Sequence, residues 1–423
     1  RIFTGAHDIV DQRPRYETIA SNVPVIKMEQ VTNWEYVPVL EQQLGWSSSA
    51  VPADGPLDLS IFDLDTLTAT GNITITAGDN VIIRASMNAY GDTSEITIDS
   101  TVGDVTVGGD LPENPMIFDM IHLEATAAID ITADGEVIIG ETATLITGSE
   151  TGGVPLSTTF GDDVAISAGA QVLVNGVIDA RDNVSIYAGT DARMTNIVNA
   201  GGTGIEVFAG EAVAGTGSVF IHKDSLVPVD EVDVTGKRPT IGGFLTAEGV
   251  TGLIHLKAGD NSGDISLLDA HLSAHEVILE APAGSILQPA GVVSEGDVPA
   301  TGGKIITDAI SLSSYSDMTL DNLSTGEIDA EITGAGDMVL KVRKGILTVT
   351  QLTLTDIQTF NGSIMIEVTG MSVNVVSVQS LTDSDSNDIS ITVLANSDSN
   401  LELHLLDADD AGDVTLNIQG NIT

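Results

Sequence analysis

Cysteine is absent from the 423 residues of this chain, and basic and aromatic residues are scarce. The missing thiol excludes disulfide scaffolds, thiolate catalysis and cysteine-ligated zinc or iron–sulfur sites. Only 15 lysines and arginines stand against 61 aspartates and glutamates, which gives a formal net charge of −46. Because binding to nucleic-acid phosphates needs clustered cations, we expect no nucleic-acid partner. The sequence also lacks any run of about 18 uncharged apolar residues, so we expect no membrane-spanning helix.

The residues that are abundant favour strands and turns. Hydrophobic residues make up 42% of the chain and the mean hydropathy is +0.22, so there is enough apolar surface for a folded core despite the charge. Aromatic residues contribute only 4%, whereas the chain has 44 glycines and many small or β-branched residues. This composition is typical of short strands joined by tight turns.

A short repeat begins near residue 57: a Gly or Asp, then a polar residue, then apolar residues that alternate with polar ones. Gly103-Asp-Val-Thr-Val107 and Gly412-Asp-Val-Thr-Leu416 are typical copies. The first apolar residues of successive copies are 19 to 21 residues apart in the middle of the chain and about 25 apart near its end. The pairs that define these steps are Val164 and Val184, Ile265 and Ile286, Ile286 and Ile305, Met318 and Met338, Ile364 and Ile389, and Ile389 and Val414.

A period of 20 to 25 residues matches one coil of a solenoid. We therefore predict an all-β fold, a parallel β-helix with two or three strands in each coil, over residues 57–423. Tandem antiparallel sandwiches stay open as an alternative, since they also show many short strands separated by turns. They give no reason, however, for one phrase to return at nearly constant spacing.

Three stretches interrupt the repeat and are expected to leave the β-helix as loops. They lie near residues 109–124, 222–249 and 288–302, and each contains two prolines. We expect binding functions to concentrate in these loops.

Residues 1–56 differ in kind, because they contain no copy of the repeat and hold Trp34, Tyr36 and Trp46. Two interpretations stay open. The segment is a cap that covers the unpaired edge of the first coil, or it is an arm whose aromatic side chains dock on a neighbouring subunit. The second interpretation makes these three residues candidate interface residues.

Calcium is the only cofactor that the sequence suggests. Asp383, Asp385, Asn387 and Asp388 alternate oxygen donors as in the first half of a calcium-binding loop, although the glycine and distal glutamate of an EF-hand are missing. The alternative is a solvated turn that keeps the protein soluble. A zinc site at His271 and His275 is disfavoured, because residues four apart in a strand are about 13 Å from each other.

No catalytic motif appears, so we expect no enzyme. The sequence has no nucleophile elbow, phosphate-binding loop or dinucleotide fingerprint. Lys341, Arg343 and Lys344 form the one local basic cluster, and we expect these side chains to pair with nearby carboxylates.

The last four residues, Gly420-Asn-Ile-Thr423, repeat Gly71-Asn-Ile-Thr74, where a predicted coil opens. From this we expect the chain to be a segment of a longer repetitive protein, or its last coil to be completed by another molecule.

Residues 71–78, Gly-Asn-Ile-Thr-Ile-Thr-Ala-Gly, and 182–189, Asp-Asn-Val-Ser-Ile-Tyr-Ala-Gly, carry a resemblance to a known group. Most of the chain resembles the giant secreted bacterial β-helix proteins, namely filamentous-haemagglutinin-like adhesins and related autotransporter-type or surface-layer repeat proteins. The resemblance implies a right-handed parallel β-helix, export to the cell surface, and a role in adhesion or extracellular assembly. It supplies no catalytic residues.

These observations lead us to expect an extracellular structural protein, a rod-like subunit or segment of a bacterial surface filament, sheath or layer that associates with its own copies. The first alternative is an adhesin stalk that displays binding loops, with surface glycans as candidate partners. The second is a polysaccharide lyase or hydrolase. The charge of −46 opposes close packing of copies unless cations or salt screen it.

Overall fold

The computed structural model describes most of the chain after residue 57. The described residues are 25–28, 57–58, 66–69, 71–84, 86–90, 93–109, 121–148, 163–202, 204–210, 216–222, 244–268, 270–288, 303–344, 350–382, 387–394, 400–409, 412–419 and 421–422. They contain 40 strands and no helix.

The strands are short and follow one another closely along the chain. The first half contains β1 (Val25–Met28), β2 (Leu57–Asp58), β3 (Thr66–Ala69), β4 (Ile73–Ala77), β5 (Val81–Ile83), β6 (Ser86–Ala89), β7 (Ile96–Ser100), β8 (Val105–Val107), β9 (Ile121–Ala125), β10 (Ile129–Ala133), β11 (Val137–Ile139), β12 (Ala143–Thr147), β13 (Val164–Ala168), β14 (Val172–Val174), β15 (Val177–Ala180), β16 (Asn183–Ala188), β17 (Ala192–Met194), β18 (Ile197–Ala200), β19 (Gly204–Ala209) and β20 (Val219–His222). The second half contains β21 (Phe244–Ala247), β22 (Leu253–Lys257), β23 (Ile265–Leu268), β24 (His271–Ser273), β25 (Glu276–Ala281), β26 (Ile286–Gln288), β27 (Lys304–Ile306), β28 (Ala309–Ser314), β29 (Met318–Ser324), β30 (Glu327–Ala335), β31 (Met338–Arg343), β32 (Gln351–Asn361), β33 (Ile364–Thr369), β34 (Ser372–Val375), β35 (Val378–Ser380), β36 (Ile389–Leu394), β37 (Asn400–Leu403), β38 (Leu406–Asp407), β39 (Val414–Ile418) and β40 (Asn421–Ile422).

The chain divides into two compact units, of which unit 1 comprises Arg1–Gly189 and Ile197–Gly201. Each coil of unit 1 contributes one strand to each of three parallel rows. Row A contains β4, β7, β10, β13 and β16, row B contains β2, β5, β8, β11 and β14, and row C contains β3, β6, β9, β12, β15 and β18. Register is kept residue by residue, so that Ile73 pairs with Ile96 and Ile96 pairs with Ile129.

One antiparallel pair occurs among the described strands. Strand β1 runs against β4, with Val25 opposite Thr76 and Met28 opposite Ile73. It therefore lies on the edge of β4 that β7 does not use, which is the position that a cap over the first coil would take.

Unit 2 comprises Thr190–Asn196 and Gly202–Thr423. Its row A runs from β19 through β22, β25, β28 and β30 to β32, which pairs with both β34 and β35. In the next coil β37 pairs with β34, and β38 pairs with β35. Row B begins with β17, β20, β23 and β26, and row C with β21, β24 and β27. Strand β29 pairs with β26 through Met318 and with β27 through Leu323, so rows B and C merge there and continue as β31, β33, β36 and β39.

The core consists of stacked aliphatic side chains from equivalent strand positions. Along row B of unit 2, Ile265, Ile286, Met318, Met338 and Ile364 lie one above another and are essentially inaccessible to solvent. Side chains of this size fill a narrow interior, and alternate residues point outward because successive strand residues face opposite sides. The predicted all-β parallel β-helix is thus confirmed within each unit.

One predicted step between coils is wrong. Ile286 does not pair with Ile305 but with Met318, whereas Ile305 belongs to row C and lies between Leu272 and Leu323. The row B residue that follows Ile286 is Met318, on the far side of the interruption near residues 288–302. Ile305, in row C, falls at the expected sequence spacing by coincidence.

The predicted inserts lie largely outside the described residues. Only their ends are described: Ile121–Ala125 forms a strand at the end of the stretch 109–124, and Phe244–Ala247 does so at the end of 222–249. In both cases, as at residues 289–302, the break in the described chain falls between a row B strand and the next row C strand.

Candidate functional site

A column of short polar residues occupies the corner immediately before the row B strands of unit 2. In seven of its nine members, namely Ser218, Asp264, Ser285, Asp337, Ser363, Asp388 and Asp413, the backbone N–H donates a hydrogen bond to the side-chain oxygen of the member one coil earlier. We call this column the corner ladder, and its members are Asp191, Ser218, Asp264, Ser285, Asp317, Asp337, Ser363, Asp388 and Asp413. The N···O distances run from 2.8 Å at Ser285 to 3.3 Å at Asp388.

The backbone carbonyl groups of the corner ladder are used as well. The carbonyl oxygen of Asp337, for example, accepts a hydrogen bond from Met318 N at 2.9 Å, while its carboxylate accepts one from Ser363 N at 2.9 Å. A short side chain with an oxygen acceptor therefore extends the β-ladder around the corner. This role accounts for the polar second residue of the repeat, for which the sequence alone suggested no role.

Unit 1 contains the same arrangement at two corners. Before row B, Asn80 Oδ1 accepts from Asp104 N at 2.7 Å, and Asp104 Oδ1 accepts from Glu136 N at 2.8 Å. Before row A, Asn72 Oδ1 accepts from Glu95 N at 3.0 Å. One sequence phrase thus marks two different corners of the coil.

The candidate calcium ligands are only partly described. Asp383 and Asp385 lie outside the described residues. Asn387 is buried, and its Nδ2 donates to the carbonyl oxygen and the hydroxyl of Thr382, both at 2.8 Å. Asp388 belongs to the corner ladder, where its Oδ1 accepts from the backbone of the next coil. Both residues therefore have structural partners, and within the described ranges no group of three or more His, Asp and Glu side chains is arranged to hold a metal ion.

The candidate interface residues Trp34, Tyr36 and Trp46 lie outside the described residues. The pairing of β1 with β4 concerns residues 25–28 alone.

Several histidine and lysine side chains of the described residues make local pairs. His271 stacks on the ring of Phe244 with a centroid separation of 4.6 Å, and His275 Nδ1 lies 2.8 Å from Asp308 Oδ2. Lys341 Nζ lies 2.6 Å from Asp321 Oδ1, which is the kind of carboxylate pairing that we expected for the basic cluster.

One pair of carboxylates faces each other across neighbouring strands of row A in unit 2. Asp329 on β30 lies opposite Asp356 on β32, and the Gln358 amide donates to both oxygens of Asp356 at 2.7 and 2.8 Å. Although the Asp329 side chain reaches solvent, partial burial raises its pKa, and the charges of Asp356 and Glu327 raise that pKa further. Like charges at close range disfavour ionisation.

Unit 1 has a comparable group at Asp130 on β10. Burial, and then the charge of Asp163, raise the pKa of Asp130. Asp163 itself is held in place because its Oδ1 accepts from the backbone and the amide of Asn183 at 3.1 and 3.0 Å. No pattern in the sequence marks either pair, since carboxylates occur throughout the chain.

A line of uncharged side chains runs along the outer surface of row B in unit 2. It takes one outward residue from each of eight successive coils, in register, and we call it the uncharged strip: Phe220, Ser266, Leu287, Thr319, Val339, Met365, Ser390 and Thr415. None of the eight is buried, and Met365 is 51% exposed. Before the strip lies Arg193, whose guanidinium stacks 4.5 Å from the centre of the Phe220 ring.

Comparisons with protein-family models, with curated proteins and with solved structures yield no match to this chain. Among the described residues, no helix is long and apolar enough to cross a membrane.

Proposed function

We propose that the protein is an extracellular structural protein, a rod-like subunit or segment of a bacterial surface filament, sheath or layer. The observation that carries this proposal is the corner ladder, because it uses the polar second residue of the repeat to join one coil to the next. Carboxylates that accept backbone hydrogen bonds serve stiffness and register. A protein selected for mechanical continuity would place its acidic residues in this way.

The composition supports the same proposal. A charge of −46 keeps isolated molecules apart, and it calls for screening cations or salt before copies associate. Assembly that is switched on by ionic strength or calcium suits a protein that is exported before it is incorporated into a surface structure.

Electron microscopy of the purified chain tests the proposal. We expect linear or lateral assemblies in millimolar calcium or in high salt, and dispersed particles at low ionic strength. A chain that stays monomeric in both conditions, while folded, contradicts the proposal.

An adhesin stalk is the second candidate, and the interruption between β20 and β21 favours it. Strand β20 ends at His222 and β21 begins at Phe244, so deletion of residues 227–243 leaves both strands intact. In an adhesin this deletion abolishes binding to cells or surface glycans and leaves assembly unchanged. In a structural subunit there is no such binding to lose, and assembly is again unchanged.

A further inference from the structure

The chain contains two Asn-Gly pairs, Asn175-Gly176 in unit 1 and Asn361-Gly362 in unit 2. The side-chain amide of an asparagine reacts most readily with the backbone when glycine follows, because glycine has no Cβ to shield its nitrogen from the asparagine Cγ. The surroundings of the two pairs differ, so their reactivities can be compared within one molecule.

The glycine nitrogen is the nucleophile of this reaction, and its hydrogen bonding distinguishes the two pairs. Gly176 N donates to the carbonyl oxygen of Ile139 at 3.0 Å. Within the described ranges, Gly362 N donates to no acceptor. The nitrogen must lose its proton before it attacks, so the reaction breaks a hydrogen bond at Gly176 and none at Gly362.

The side chains that would be attacked also differ. Asn175 is half-buried, whereas Asn361 is exposed at the end of β32. Water, which both removes the proton and completes the reaction, therefore has better access to Asn361.

Two donors hold the side-chain oxygen of Asn361. Its Oδ1 accepts from Thr382 Oγ1 at 3.2 Å and from Asn387 Nδ2 at 3.3 Å. Asn387 is only 1% exposed, and it also donates to Thr382 Oγ1 at 2.8 Å, so the two donors support each other. Negative charge develops on Oδ1 when a nucleophile attacks Cγ, and donors placed at this atom stabilise that charge.

The fold itself requires the glycine of the second pair. A Cβ atom at Gly362 would collide with the carbonyl oxygen of Gly336 one coil earlier. The carbonyl oxygen of Gly362 is also fixed, because it accepts from Thr359 Oγ1 at 2.8 Å and from Ser380 Oγ at 3.2 Å. This corner therefore keeps a glycine directly after Asn361.

We propose that Asn361 deamidates spontaneously in the folded protein, through attack of Gly362 N on its side chain and with Thr382 and Asn387 as the stabilising donors, whereas Asn175 is protected. This inference goes beyond the proposed function and does not rest on it.

The reaction needs only water. Gly362 N loses its proton and forms a bond to Cγ of Asn361, the bond from Cγ to Nδ2 breaks, and Nδ2 leaves with that proton as ammonia. Water then opens the five-membered succinimide ring. Opening at Cγ gives aspartate, and opening at the backbone carbonyl carbon gives isoaspartate, in which the chain continues through the former side chain.

The product alters the corner ladder. Ser363 follows the modified pair, and its N–H donates to Asp337 Oδ1 at 2.9 Å. Isoaspartate adds one methylene to the backbone just before this bond, and both products add a negative charge to a chain that already carries −46. The modified corner is therefore joined less firmly to the coil before it.

Peptide mapping by mass spectrometry tests the proposal on the purified full chain, kept folded in mildly alkaline buffer at 37 °C. The two Asn-Gly peptides are followed in the same sample, and isoaspartate is identified by labelling with an isoaspartyl methyltransferase. We expect Asn361 to react about tenfold faster than Asn175 or more. In denaturant, where both glycine nitrogens are free of their folded surroundings, the two rates should become similar.

Equal rates in the folded chain, or a faster reaction at Asn175, overturn the proposal. So does a folded chain in which Asn361 stays unmodified while the denatured chain reacts. A difference that persists in denaturant also overturns it, because the cause would then lie in the local sequence and not in the fold.

Variants test the assigned atoms. Asn361→Gln should abolish the isoaspartate signal, because its longer side chain would need a less favourable six-membered ring, and Asn175→Gln should leave the signal unchanged. Thr382→Val removes one donor and should slow the reaction at Asn361 by about threefold or more. Thr392→Val is the matched control, since Thr392 lies on the outer face of β36, opposite Glu367.

Far-ultraviolet circular dichroism confirms that each variant is folded. An isoaspartate signal that survives in Asn361→Gln contradicts the proposal, as does a reaction in Thr382→Val that is as fast as in the control.

Discussion

An aspartate at a corner of this protein takes over the role of a backbone carbonyl within a strand. The carboxylate of Asp337 accepts the N–H of Ser363, and the N–H of Asp337 is in turn accepted by Asp317, both at 2.9 Å. Side chains one bond longer, such as glutamate, place the acceptor further from the backbone. The preference of the repeat for Asp, Asn and Ser is therefore a matter of reach, and the negative charge is incidental to the bond.

Substitutions of Asp337 distinguish the effect of its side-chain hydrogen bond from the effect of its negative charge. Asp337→Asn keeps an acceptor oxygen and should leave the stability nearly unchanged, whereas Asp337→Ala removes it and should lower the free energy of unfolding by about 1 kcal/mol. The local measurement is hydrogen exchange at the Ser363 amide, which should become faster in the alanine variant only. Equal exchange in both variants would show that the side-chain bond does not protect this amide.

Asp329 should make stability depend on pH. Its pKa is raised above the ordinary value of 3.8 by burial and by Asp356 and Glu327, so the folded state holds this proton more tightly than the unfolded state. Stability therefore falls as the pH rises from about 3.8 through the raised pKa, and stays lower above it. Asp329→Asn should raise the melting temperature at neutral pH by about 1 °C.

The control is Glu331→Gln, which removes a charge from the same strand opposite Ser313 and Gln358 instead of opposite a carboxylate. Between pH 3 and pH 7, the melting temperature should fall less steeply with rising pH in Asp329→Asn than in the control. A steeper fall in the Asn variant would contradict the assigned repulsion.

At the scale of the strand, periodicity in the sequence located most coils correctly. Val164 pairs with Val184, Met318 with Met338, and Ile389 with Val414, as their spacing predicts, because a stacked core demands one aliphatic residue per coil at the same place. The step from Ile286 to Ile305 failed because the interruption near residues 288–302 breaks the regular spacing. Spacing alone cannot tell a row B residue from a row C residue.

The candidate site was harder to predict than the coils. Sequence reasoning noticed the aspartates before the strands but could not show that they bond to the following coil, since that bond depends on register between coils. The uncharged strip escaped notice for the same reason. Its members are about 20 to 50 residues apart and align only once the coils are stacked.

The corner before Asp264 admits only glycine. Gly263 has a φ of 146°, and a Cβ atom there would collide with the carbonyl oxygen of Gly217 one coil earlier. Gly263→Ala should lower the free energy of unfolding by about 2 kcal/mol or more. Gly78→Ala is the control, because no atom lies within 4 Å of the added Cβ, and chemical denaturation should separate the two variants. Similar losses would contradict the steric explanation.

At the scale of the whole molecule, the net charge of −46 governs both folding and association. Repulsion among so many carboxylates opposes the compact state and is weakened by salt, since the screening length shortens from about 10 Å at 0.1 M to about 3 Å at 1 M. Stability and association should therefore both increase with ionic strength.

Calorimetry in sodium chloride and in calcium chloride at equal ionic strength distinguishes screening from binding. We expect the melting temperature to rise by several degrees in both salts, with an additional rise in calcium if Asp383 and Asp385 bind the ion. Asp383→Asn combined with Asp385→Asn should remove the additional rise and keep the general one. Identical melting curves in the two salts would contradict the calcium site. No response to either salt would contradict the role of repulsion among carboxylates.

The corner ladder also restricts how the length of such a chain can vary. If residues 318–337 were excised, Asp317 would directly precede Met338, and its carboxylate would meet the Ser363 amide that Asp337 now serves. Loss of half that stretch would remove one strand from a coil and leave backbone donors without acceptors. The length of such a chain can therefore change only by complete windings. A change of this kind alters the number of coils and leaves the packing within each remaining coil intact.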